Sequence, residues 1–135
     1  MLEVVPLIMR VIRADLRNNR ACDLSVPQFR ALHYVGGATT ASLSELAAHL
    51  GLSLPSMSKQ VDVLLARGLL SRTEDPVDRR RVVLRLTAEG EARVQAALTA
   101  TAAALTERLQ GLSAEQQVTV GEAMAALRTI FASEN

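Results

Sequence analysis

The sequence predicts a mainly α-helical chain carrying one small β-hairpin. Three observations lead there. Serines placed to cap the first turn of a helix recur along the chain, glycines follow the apolar periodic runs, and one segment, "VVLRL" at 82–86, alternates as a strand does after an Asp-Pro turn signal.

The elements follow in order. An apolar and basic repeat predicts a helix over about 4–21, with Val4, Ile8, Val11 and Ile12 on one side and Arg10, Arg13, Arg17 and Arg20 on the other. Ser25-Val26-Pro27-Gln28 is a capping box, in which the serine oxygen accepts a first-turn N–H and the glutamine reaches back to the serine N–H. It starts a second helix, which Gly36-Gly37 is expected to end at about 36. Ser42-Leu43-Ser44-Glu45 opens a third over 43–50, stopped by Gly51. Ser53 then precedes Leu54-Pro55-Ser56, with proline in the first turn where its missing N–H costs nothing, and predicts a fourth over about 54–67 that ends at Gly68. Leu24 with Phe29, and Leu52 with Met57, have the spacing of hydrophobic staples. Strands follow near 69–74 and 81–87. In the second, Val82, Leu84 and Leu86 face one way, Val83 and Arg85 the other. Their connection exceeds an ordinary hairpin turn, and long loops in compact domains tend to serve a function. Two helices complete the chain over 88–110 and 114–132, the last opened by the capping box Ser113-Ala114-Glu115-Gln116. The order is thus helix, helix, short helix, turn, helix and then a β-wing.

Composition narrows the function. No apolar run approaches the roughly 18 residues of a spanning helix, and the start lacks a signal-peptide cleavage pattern, so the expectation is a cytoplasmic protein without a membrane partner. The single cysteine, Cys22, excludes an internal disulfide and a cysteine-cluster metal site. Two histidines, His33 and His49, with no Gly-rich phosphate loop, offer nothing convergent from which to build an enzyme, and no cofactor is expected. The net charge is only +1, but residues 53–86 carry +3 and the remainder −2. That asymmetry suggests an anion-facing patch on an otherwise ordinary surface.

Within the basic segment, a helix that enters a DNA major groove must bury one face and offer short polar side chains on the other. On the fourth helix Met57, Val61, Leu64 and Leu65 form the apolar stripe, while Pro55, Ser56, Lys59, Val63 and Ala66 fall opposite and Gln60 and Asp62 flank them. Lys59 is the only lysine in the chain. Beside this helix, "DPVDRRRVVLRLT" sets Arg79, Arg80 and Arg81 in a row, an arrangement whose self-repulsion needs an anionic partner. A basic tip of this kind suits the minor groove, where arginine supplies a planar, permanently charged donor fork, and Asp78 is placed to hold one of the arginines. The Ala-rich fifth helix and a sixth with Val118, Met124, Leu127, Ile130 and Phe131 largely along one side have no sheet to cover them, which argues for a helical dimer interface, the alternative being a self-contained bundle around the middle domain.

With "LSELAAHLGLSLPSMSKQVDVLLARGLLSRTEDPVDRRRVVLRLTAEG" in view, the chain resembles the MarR family of winged helix-turn-helix regulators over nearly its whole length. The "D-R-R" wing followed by "L-T-x-x-G", downstream of "L-x-x-x-G-L-L-x-R", carries the resemblance. It implies a winged helix-turn-helix DNA-binding region at 25–87 and a helical dimerisation region made of 1–24 and 88–135. It also implies a homodimeric regulator, a repressor in most cases, on a pseudo-palindromic operator in double-stranded DNA, released by a small anionic or aromatic effector. By position, Asp78 resembles the family's wing aspartate, Arg80 its minor-groove arginine and Arg72 its phosphate-contacting arginine. Ser53, Pro55, Ser56, Ser58, Lys59 and Gln60 occupy reading-helix positions, and Arg79 and Arg81 flank the wing arginine. Ile12, Leu16, Phe29, His33 and Tyr34 would line the effector cleft, although core packing accounts for those side chains equally well. Cys22 stands only five residues before Pro27, whereas oxidation-sensing members carry their cysteine well inside the first helix, so it is read as an inert thiol. The competing reading is a protein-interaction dimer that keeps this shape without binding DNA; it leaves the wing arginines and Lys59 without a purpose.

Overall fold

The computed structural model describes residues 2–18, 23–75 and 77–132. The expectations that fall on Arg20 and Cys22, and the proline of the Asp-Pro signal, Pro76, lie outside them. The order is α1 (Val4–Asn18), α2 (Val26–Gly37), α3 (Leu43–Leu50), α4 (Leu54–Ala66), β1 (Leu70–Glu74), β2 (Val82–Leu86), α5 (Ala88–Leu109) and α6 (Ala114–Ala132). Two compact units divide it, 1–101 and 102–135.

In the first unit the capping chemistry works as the residues require. Ser25 Oγ accepts the Gln28 N–H at 3.3 Å while Gln28 Oε1 accepts the Ser25 N–H at 3.1 Å, and Ser42 and Glu45 repeat the exchange at 3.2 and 2.7 Å. Each such cap contributes on the order of 1 kcal/mol. Gly51 and Gly68 hold φ of 67° and 68°, the left-handed turn that a Cβ disfavours, and end α3 and α4. Gly36 and Gly37 do something else: α2 runs through both and stops at Ala38 in extended conformation. Gly36 serves packing, since a Cβ there would stand 2.7 Å from Leu86 Cδ1.

The core is aliphatic. Leu32, Leu46, Met57 and Leu64 are fully buried where α2, α3 and α4 meet, Leu16 of α1 joins them, and Val94 and Ala97 of α5 complete the cluster. Each fully buried side chain of this size stabilises the fold by roughly 1.5–3 kcal/mol.

β1 and β2 pair antiparallel in the register Leu70 to Leu86 through Glu74 to Val82. A backbone bond from Leu84 N–H to Ala41 O, at 2.7 Å, ties the hairpin to the link between α2 and α3. The expected apolar alternation on β2 holds only in part. Leu84 is buried, but Val82 of the same face is 56% exposed near the tip, and Val83 of the opposite face is fully covered. Burial on this short ladder follows distance from the domain as much as strand period.

The joint between hairpin and α5 explains the "L-T-x-x-G" run. Thr87 Oγ1 donates to Gly68 O at 2.6 Å and accepts the Gly90 N–H at 3.0 Å, while Thr87 N–H donates to Leu69 O at 3.2 Å. Gly90 lies so near Leu69 that a Cβ would overlap its carbonyl oxygen. Farther along α5, Thr101 Oγ1 donates to Asp15 Oδ2 of α1 at 3.0 Å.

In the second unit, Ser113 and Gln116 exchange capping bonds of 2.9 and 3.2 Å at the start of α6. The Gln117 side-chain amide donates to Leu109 O and Leu112 O, both at 3.2 Å, which closes the turn. Val118, Met124, Ile130 and Phe131 are exposed. Among the described residues no helix is long and apolar enough to cross a membrane.

Candidate nucleic-acid interface

α4 stands on the core through Met57, Val61 and Leu64, and this buried stripe fixes which side chains face out. Ser53, Pro55, Ser56 and Lys59 are exposed, while Ser58 and Gln60 are half-buried on the flanks. Ser53 also caps the helix, its Oγ accepting the Ser56 N–H at 3.4 Å. The outer face of α4 is therefore short, polar and singly cationic, and Val63, 45% exposed, is the aliphatic element toward its C-terminal half.

Arg72 extends from β1 back to this helix. Its Nη2 lies 3.0 Å from Asp62 Oδ1, an exposed pair that orients the guanidinium beside α4. Phosphate can exchange with such a surface carboxylate at little cost. Between the two elements lies a hollow of about 260 Å³ lined by Leu43, Val61, Arg72, Val82 and Leu84.

At the tip of the wing the three arginines have distinct roles. Arg81 N–H donates to Asp78 O at 2.9 Å and closes a β-turn in which Arg79 and Arg80 are the two corner residues. Asp78 Oδ1 accepts the Arg80 N–H at 3.0 Å. The expected contact to a guanidinium is thus replaced by one to the backbone, because a short aspartate at the first turn position reaches the N–H two residues on. Arg81 turns away: its Nη2 lies 3.4 Å from Glu45 Oε1 at the start of α3. Among the described residues no ion pair engages Arg79, Arg80 or Lys59.

Two carboxylates that the reading of the sequence did not place in the site shape it. Glu45 was visible as a capping residue, but its partner Arg81 is too distant in sequence for any local pattern to reveal. The Ser42 backbone N–H, then the Ser42 hydroxyl and Arg81, hold its carboxyl below the usual glutamate range. A depressed folded-state pKa gives stability that is complete above the unfolded value and is lost as pH falls through the folded one. Glu45→Gln is therefore expected to melt below the unmodified protein at pH 7, and the two melts should converge once the pH drops beneath Glu45's lowered pKa; parallel curves throughout the acid range would contradict this. Asp75, buried at the mouth of the wing loop, accepts the Val77 N–H, and that bond is the main cause of a carboxyl held below the ordinary aspartate range.

The residues expected to line an effector cleft stand on α1 and α2. Leu16 is closed into the core, and Ile12, Phe29 and Tyr34 pack partly buried against it. His33 is exposed, its ring 5.7 Å from that of Phe29, and Tyr34 stacks on His49 at 4.4 Å.

The chain is similar to known helix-turn-helix regulators. The profile of the MarR family matches residues 23–81, from the entry to α2 to the end of the wing turn. The chain is 35% identical over 75 residues to the HTH-type transcriptional regulator YhbI of Bacillus subtilis, a match covering 56% of this chain and 49% of that protein. It spans about half the length of the curated relatives it matches first. Among solved structures it superposes on RV1404 from Mycobacterium tuberculosis with a TM-score of 0.85 at 20% identity, over 97% of this chain and 88% of that one. On Streptococcus pneumoniae FabT, solved in complex with DNA, the TM-score is 0.72 at 20% identity, over 99% and 94% of the two chains.

Proposed function

We propose that the chain is a helix-turn-helix transcriptional regulator of the MarR kind, a cytoplasmic repressor that binds double-stranded DNA as a homodimer on a pseudo-palindromic operator and is released by a small anionic or aromatic effector. Regulators of this family are not enzymes. One observation carries the reading: a core-anchored helix with an outer face of serines and Lys59 is joined, through the Arg72 and Asp62 pair, to a hairpin whose turn presents Arg79 and Arg80. α4 enters the major groove with Ser53, Pro55, Ser56, Ser58, Lys59 and Gln60 along the base edges. Arg80 enters the neighbouring minor groove, while Arg79 and Arg72 serve phosphates and Arg81 flanks the turn, facing Glu45. That FabT, a protein of similar fold, was solved in complex with DNA supports DNA as the partner.

Residues 25–87 form the DNA-binding region, and 1–24 with 88–135 the dimerisation region. Exposed apolar side chains support the latter, Leu2, Val4, Val5 and Leu7 at the start of the chain, and Val118, Met124, Ile130 and Phe131 on α6. A two-fold dimer sets half-sites about 34–36 Å apart. The effector binds against Ile12, Phe29, His33 and Tyr34, with Leu16 as the floor.

Fluorescence anisotropy against a duplex from upstream of its own gene, at several salt concentrations, tests the proposal. Specific affinity at least about a thousandfold above that for random duplex is expected, with a logarithmic salt slope of several units. Equal affinity for both duplexes would overturn it in favour of a protein-interaction module.

A further inference from the structure

The most buried polar side chain of the wing is one that the DNA-contacting set does not contain. Asp75 is 4% exposed, whereas Val77, Asp78, Arg79 and Arg80 beyond it are all exposed. Its Oδ1 accepts two backbone donors, the N–H of Val77 at 2.8 Å and that of Asp78 at 3.3 Å. Its own N–H donates to Arg81 O at 2.9 Å and adds one rung to the ladder beyond Glu74 and Val82. The same carboxylate thus grips the start of the loop while its backbone closes the loop's end. Between those anchors the β-turn from Asp78 to Arg81 has little room to take another shape.

Electrostatics alone argues against an acid here. A carboxylate beside a phosphate-binding loop lowers the local positive potential, and burial adds a desolvation cost that only good hydrogen bonds offset. The backbone donors supply those bonds, so what Asp75 gives in return is shape. We propose that Asp75 is a positioning residue for DNA binding, whose bonds to the Val77 and Asp78 N–H groups set the turn from which Arg79 and Arg80 reach the duplex. The inference rests on the wing docking proposed above and adds to it a residue that touches no DNA.

Two substitutions separate shape from charge. Asp75→Ala and Asp75→Asn remove the same negative charge, but only asparagine restores an oxygen at the Oδ1 position. Against the upstream duplex, Asp75→Ala is expected to bind about tenfold more weakly, and Asp75→Asn to recover most of that loss, because one or two backbone hydrogen bonds are at stake. In an Arg79→Ala/Arg80→Ala background, adding Asp75→Ala should cost less than about twofold, since there is nothing left to aim. If Asp75→Ala does not fold, Asp75→Ser takes its place; its shorter acceptor should leave it weaker than Asp75→Asn, and equal binding by those two would overturn the proposal. The proposal is overturned if the alanine and asparagine variants bind alike, or if the alanine loss persists undiminished without the two arginines. Unchanged affinity in the Arg79→Ala/Arg80→Ala protein itself would instead remove the wing docking, and with it any role for Asp75.

Discussion

Gly90→Ala is expected to lower the unfolding free energy by about 3 kcal/mol, near the upper end of what overpacking costs. The new methyl would occupy the space of the Leu69 carbonyl oxygen and press on Leu86 Cδ2 at 3.0 Å. A flexible side chain could yield, but this obstacle is backbone, and it is held by the bond from Thr87 N–H to Leu69 O. Relief would need the first turn of α5 to lift, with loss of the Gly90 N–H to Thr87 Oγ1 bond. The melting temperature should fall by roughly 10 °C. Gly37→Ala provides the opposite sign in one fold: a Cβ there meets nothing within 4 Å, and the residue is helical. That change should stabilise by about 0.5–1 kcal/mol. A Gly90→Ala melt within 2 °C of the unmodified protein would show that the joint is looser than described.

Arg80→Ala carries the second large effect, this time on binding. The side chain stands at a corner of the β-turn, exposed, while the turn itself is kept by the Asp78 carboxylate on the Arg80 N–H and by the Arg81 N–H on Asp78 O. Truncation therefore removes the guanidinium and leaves the backbone in place. Affinity for the operator duplex is expected to drop by about 10- to 100-fold, and the logarithmic salt slope by about one unit. Arg81→Ala should do less. Its guanidinium already faces Glu45, and both partners are about half exposed, so what is lost is largely a screened surface pair. Titrations of both variants from low to high salt decide the point; equal losses for Arg80 and Arg81 would mean that the tip acts as undifferentiated charge.

Much of this architecture was legible because its determinants are local. A serine cap and the residue three positions on lie within one turn, so three reciprocal boxes and the Ser53 cap read as helix starts from the sequence alone. The buried stripe of α4 follows from helical period alone. What escaped depends on neighbours distant in the chain. Gly36 looked like a stop, but α2 continues through it because Leu86 of β2 needs the space a side chain would fill. Glu45 could be recognised as a cap, yet only the folded hairpin brings Arg81 to its second oxygen. Asp75 was visible as half of a turn signal, and its burial is a property of the closed loop. Asp78 reads as a partner for arginine on charge, but its reach selects the nearest N–H instead.

The threonine joint has a mechanical corollary. Where a hydroxyl bridges two chain segments and a missing methyl lets them touch, neither can slide without the other. The root of α5 and the residues that lead into β1 are therefore held to each other by hydroxyl and backbone alike, so that loosening either one frees both.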